Sequence, residues 1–134
     1  MRIRAKLFLA LAALMLCLTA NAAGDSYDVF VPISKYLASG DAESLSAWFS
    51  DNLEISIMSS TNNSSKNQAK QILKTFFSSH TPRSFEINHT ASRSNTKYAL
   101  GYLNAGGELF EVTIFVSKSK DRYVIQQLKI DRIR

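Results

Sequence analysis

The sequence predicts an α+β fold, with helices gathered ahead of an antiparallel sheet. Three observations predict it. Before residue 80, apolar residues recur in three segments at the spacing of one helix face. After residue 84 they alternate at a spacing of two, as in strands with one buried side. Short turn signals, above all Ala105-Gly106-Gly107, divide that second half into four strands. The expected order is α-α-β-α-β-β-β-β, three helices packed on one face of a curved antiparallel sheet.

The first 22 of the 134 residues stand apart. Arg2, Arg4 and Lys6 open the chain, residues 7–18 are an unbroken apolar run, and Ala20-Asn21-Ala22 precedes a polar stretch. That is the layout of a secretory signal peptide, with cleavage expected at Ala22 or Ala23. Spanning a bilayer takes about 20 apolar residues, so the run is too short for an anchor. Leu16 before Cys17 argues against a lipid anchor. Residues 23–134 are then one secreted or periplasmic domain with no membrane span. Cys17 is the only cysteine, so the mature chain has no disulfide, thiol nucleophile or cysteine-bound metal. The net charge of +5 also falls, to 13 basic against 11 acidic residues. The remaining basic cluster around Lys118, Lys120, Arg122 and Lys129 is interrupted by Asp121 and Asp131, which argues against a nucleic-acid partner.

Along the domain, Val29, Ile33, Tyr36 and Leu37 share one face of a helix over residues 25–39. Pro32 places its regular start near residues 28–31. Gly40 ends it and Asp41 caps the next helix, whose face is Leu45, Trp48 and Phe49. Leu53, Ile55 and Ile57 alternate inward along a first strand. Residues 59–67 read as a polar loop. Ser65 followed by Gln68 opens a third helix with Ala69, Ile72, Leu73, Phe76 and Phe77 on its face. Lys66, Lys70 and Lys74 line its other side, a surface for solvent or an acidic partner.

In the strand block, Phe85, Ile87, His89 and Ala91 share a face of the first strand. The next has bulky Tyr98, Leu100 and Tyr102 on one side and small Ala99 and Gly101 on the other. Phe110, Val112, Ile114 and Val116 face in on the third, and Val124, Gln126, Leu128 and Ile130 on the last. The outer face is not cleanly polar, since Leu109, Phe115, Tyr123 and Ile125 fall on it. Exposed apolar residues on a sheet mark a partner surface, here a homodimer through the outer face.

In this order of elements the chain resembles the nuclear-transport-factor-2-like, or cystatin-like, superfamily over residues 25–134. Three segments resemble more narrowly a group of small secreted bacterial proteins described only as a domain of unknown function. They are Leu45-Ser46-Ala47-Trp48-Phe49-Ser50-Asp51-Asn52-Leu53-Glu54, Gln68-Ala69-Lys70-Gln71-Ile72-Leu73-Lys74-Thr75-Phe76-Phe77 and Tyr123-Val124-Ile125-Gln126-Gln127-Leu128. That group brings no activity. The superfamily implies a sheet curled into a cone whose open end holds a small ligand. Its enzymes that resemble ketosteroid isomerase or scytalone dehydratase work with carboxylates or histidines inside that cone.

Judged by strand register, Glu54, Glu86, Glu108 and Glu111 all point outward, and none is the expected cavity base. The cavity candidates are His89, as an acid or base near neutral pH, with Gln126, Tyr98, Tyr102 and Trp48 as ligand contacts. His80 falls at a helix C-terminus. There is no glycine-rich phosphate loop, no Gly-x-Ser-x-Gly and no metal-ligand spacing, so neither cofactor nor metal is expected. Two readings of function follow. One is a non-enzymatic module binding a small apolar ligand or a protein. The other is a small lyase or isomerase using His89, which requires that residue inside the cone.

Overall fold

The computed structural model describes residues 28–133. The expected signal peptide, its expected cleavage at Ala22 or Ala23 and the first residues of the expected first helix lie outside the described residues. Among the described residues no helix is long and apolar enough to cross a membrane.

Helix α1 (Phe30–Ser39) begins where Asp28 accepts the Phe30 amide at 3.0 Å. It buries Phe30, Ile33 and Leu37. Gly40 ends it at a φ of 69°, donating to the Leu37 carbonyl while Asp41 donates to that of Tyr36. This paired closure needs the left-handed conformation that glycine adopts without strain. Asp41 then caps α2 (Ala42–Ser46), accepting from the Ser44 amide at 3.0 Å and the Ser44 hydroxyl at 2.8 Å. Both donations favour the ionised carboxyl and hold it below the usual aspartate range. The helix is shorter than expected. By Trp48 the backbone already belongs to the sheet, its carbonyl accepting the Ile125 amide at 2.6 Å. Phe49 therefore opens β1 (Phe49–Ile57) instead of extending the helix face.

Residues 59–67, expected as a loop, form β2 (Ser60–Ser65) and the start of α3 (Lys66–Ser79). The β1–β2 turn uses Met58 and Ser59 at φ values of 50° and 74°. It is held from outside: the Met58 amide donates to the Ile130 carbonyl at 2.7 Å and the Ser59 amide to Asp131 at 3.2 Å. Ser65 caps α3 by accepting the Gln68 amide at 3.2 Å, and α3 buries Ala69, Leu73, Phe76 and Phe77.

The remaining strands are β3 (Pro82–Arg93), β4 (Thr96–Ala105), β5 (Glu108–Ser119) and β6 (Arg122–Arg132). They join β1 and β2 in one open six-stranded sheet of order β2-β1-β6-β5-β4-β3. All neighbours are antiparallel except β1 and β6, which run parallel. The α+β arrangement is as expected, with a sixth strand and one parallel pair added. Helix α1 lies against β3 and β4, α3 against β1 and β2, and α2 joins the two helices. All three therefore cover one face, here called inner.

Of the register shifts in the sheet, the bulges at Asn88 and Gln126 move residues expected on that face. Ile87 pairs with Gly101 but His89 with Leu100, so Asn88 is the extra residue on β3. Phe115 pairs with Gln127 but Val116 with Ile125, so Gln126 is extra on β6. Each bulge shifts the alternation by one residue and exchanges the two faces beyond it. Ile125 is consequently buried and Tyr123 packs against the core, where both were expected outside.

Candidate binding surface on the outer face of the sheet

Above β4 the inner face offers a ligand little room. On β4 the small residues Ala99, Gly101 and Ala105 are buried beside Leu103. The space above Gly101 is taken by Phe85: a Cβ there would lie 2.7 Å from Phe85 Cζ and 2.5 Å from the Glu86 carbonyl oxygen. Phe76 meets Phe110 edge-on at 5.2 Å, and the His80 ring stacks on Phe76 at 4.8 Å. Aromatic side chains of the protein itself thus fill the centre of the concave side, while between α3 and β1 Ile57, Met58, Ile72, Phe76 and His80 line an open pocket of about 300 Å³. His80 is the C-cap of α3, as expected from its position, but half-buried, with Nδ1 shielded and without a hydrogen bond.

The structure moves the expected cavity residues elsewhere. His89 is not inside the cone. The Asn88 bulge turns it onto the outer face opposite Leu100, exposed, with the Tyr98 ring edge-on at 6.4 Å. None of the described hydrogen bonds or ion pairs ties a carboxylate to it. Gln126 is not inward either: as the bulge residue it donates to the Ser117 hydroxyl at 3.0 Å. Tyr98 and Tyr102 occupy the outer face with Leu100, because the small residues of β4 take the inner one. Trp48 lies in the turn before β1 with the Arg122 guanidinium over its ring at 5.3 Å. Arg122 also donates to the Ala47 carbonyl at 2.9 Å, so this pair locks the β5–β6 turn to the α2–β1 connection. The five candidates do not converge on one site.

Among the four acids expected outside, Glu54, Glu86 and Glu111 lie on the outer face. Glu108 does not: it pairs with buried Ala105 at the start of β5, and Arg132 donates to its carboxylate. On α3, the lysine face is partly spoken for, since Lys70 and Lys74 reach Glu43 of α2 at 3.2 and 3.9 Å. Among the described residues, no group of three or more His, Cys, Asp or Glu side chains could hold a metal ion.

What the strands do bring together is a surface. Direct cross-strand partners share a face. Ala91, Tyr98 and Phe115 therefore form one outer row, and His89, Leu100 and Thr113 the row beside it. The first row floors a depression of about 460 Å³, with Arg93 and Lys97 at its rim. Leu109, 49% exposed, stands at the other end of β5. No described helix packs on this face. Phe115 and Leu109 were legible as outer apolar residues. Ala91 and Arg93 were not, because an unseen bulge precedes them.

A family model described as "Domain of unknown function (DUF4783)" matches residues 30–131. A solved DUF4783 family protein from Bacteroides uniformis is 26% identical, with a TM-score of 0.77 over 80% of this chain and 99% of its own. One from Bacteroides ovatus is 24% identical, with a TM-score of 0.74 over 77% and 94%. A putative dehydratase of the NTF2-like family from Streptomyces avermitilis shares the fold at 9% identity, with a TM-score of 0.59 over 78% and 91%. No curated protein matches the chain.

Proposed function

Since the chain belongs to the DUF4783 family, a domain of unknown function, we propose its role from its own surfaces: a non-catalytic binding module of the secreted or periplasmic space that works as a homodimer. The two copies meet through the outer face of the sheet. The observation that carries this reading is the contiguous apolar set Ala91, Tyr98, Leu100 and Phe115. It spans three strands on the face that no described helix covers. Apolar patches of this kind on a sheet are characteristic of interaction sites. The packing of Phe85, Phe76 and Phe110 over the centre of the concave side adds support. His89 is exposed on that face without a carboxylate bonded to it, which gives the lyase or isomerase reading no support.

Sedimentation equilibrium of the mature chain tests the proposal. The wild type should be a dimer at micromolar concentration. Phe115→Glu, which places a charge within the patch, should be a monomer with an unchanged circular dichroism spectrum. A wild type that stays monomeric, or a Phe115→Glu variant that still dimerises, would overturn it.

A further inference from the structure

We infer that the two copies pack end for end, so that Arg93 of each lies against Glu86 of the other. This rests on the homodimer reading above and adds its orientation.

The outer face is electrically lopsided. Glu86, Tyr102, Glu111 and Asp131 form one row across β3, β4, β5 and β6. Lys129 answers Asp131 at 3.6 Å. Glu86 and Glu111 are exposed and have no ion pair among the described residues. At the other end of the face, beyond the rows of Leu100 and Tyr98, Arg93 is exposed and equally without an ion pair among the described residues. Free carboxylates thus lie on one side of the apolar patch and a free guanidinium on the other.

The two-fold axes that lay one face on the other lie in its plane, and their two limiting directions run along the strands and across them. An axis along the strands lays the acidic row against an acidic row, and like charges across an interface are unfavourable. An axis across the strands, between the rows of Leu100 and Tyr98, exchanges the ends. It sets Glu86 against the second copy's Arg93, Leu100 against its Tyr98 and Thr113 against its Phe115. Both symmetry-related ion pairs form, and apolar side chains meet between them.

Charge exchange tests the orientation by sedimentation equilibrium. Arg93→Glu alone and Glu86→Arg alone should each weaken the homodimer at least about tenfold, because each sets like charges together twice. Mixing the two single variants should restore association to the wild-type level. In the mixed dimer both contacts are again between opposite charges. A mixture no tighter than either variant alone, beside a dimeric wild type, would overturn the orientation and leave the homodimer standing. Singles that bind as tightly as wild type would overturn it equally. A monomeric wild type would remove the homodimer and the orientation together. Both positions are exposed, so folding should survive each change, and circular dichroism checks this.

Discussion

The inner and outer faces of β4 are made by alternate residues of one strand, yet they are built under different constraints. Inward, Ala99, Gly101, Leu103 and Ala105 are sized to what lies above them, and Gly101 leaves only enough room for Phe85. Outward, Tyr98, Leu100 and Tyr102 are large, remain partly exposed and answer to no described helix. Volume is rationed on one side of the strand and generous on the other. The difference teaches that over β4 the concave side is occupied by the fold's own core, while the opposite side holds apolar area free to meet a partner.

The contrast can be broken most forcefully from the inner side. Phe110 is fully buried against Phe76 and His80. Phe110→Ala should cost about 3–5 kcal/mol in urea denaturation; a loss under about 1 kcal/mol would mean that the site collapses freely. Gly101→Ala adds a single carbon but drives it against a carbonyl oxygen. It should destabilise by about 1–3 kcal/mol, the range of overpacking, whereas a neutral result would show that Phe85 can move aside.

The helix layer on the inner face gives a smaller, pH-dependent test. Asp41→Ala removes the α2 cap and should cost about 1 kcal/mol near neutral pH. Because the Ser44 amide and hydroxyl hold the Asp41 carboxyl below its ordinary value, this contribution is fully present above the unfolded pKa of about 3.9 and fades as pH falls through the folded value. The gap between wild type and variant should therefore narrow at pH 3; a constant gap would show that the cap's charge is irrelevant. The smallest effect belongs outside. Phe115→Thr at concentrations too dilute for dimers should change stability by less than about 0.5 kcal/mol, as a surface change does. A loss comparable to that of Phe110→Ala would erase the distinction between the faces.

The parts of the fold legible in the sequence were those set by local chemistry. Gly40, Asp41 and Ser65 close and cap helices as their side chains dictate, and the alternation in β5 places Phe110, Val112, Ile114 and Val116 inward without error. Strand β2 was invisible because Ser60-Thr61-Asn62-Asn63-Ser64-Ser65 has no apolar residue and its turn has no glycine. The parallel β1–β6 pairing joins distant segments, which no local pattern reports. The bulges explain the misplaced site residues. A bulge is a mismatch between two strands, so Asn88 and Gln126 look ordinary when each strand is read alone. His89 and Gln126 read as inward for that reason, and nothing in β3 alone places Arg93 outside.

The Met58–Ser59 turn carries a consequence for time. Neither residue favours a positive φ, and each such placement costs on the order of 1–3 kcal/mol. The restraints come from Ile130 and Asp131, the latter 72 positions away. As the chain leaves the ribosome, β1 and β2 are made before β6 and are left without their anchor until residues 130 and 131 emerge. The meander from β3 onward, whose turns are local, can assemble ahead of them. A chain ending at residue 127 should keep slow amide exchange in β3, β4 and β5 while β1 and β2 exchange freely; protection of β2 in that chain would contradict this. The strands made first would then be the last to find their place, and the loss of β6 would be felt in a turn made 72 positions earlier.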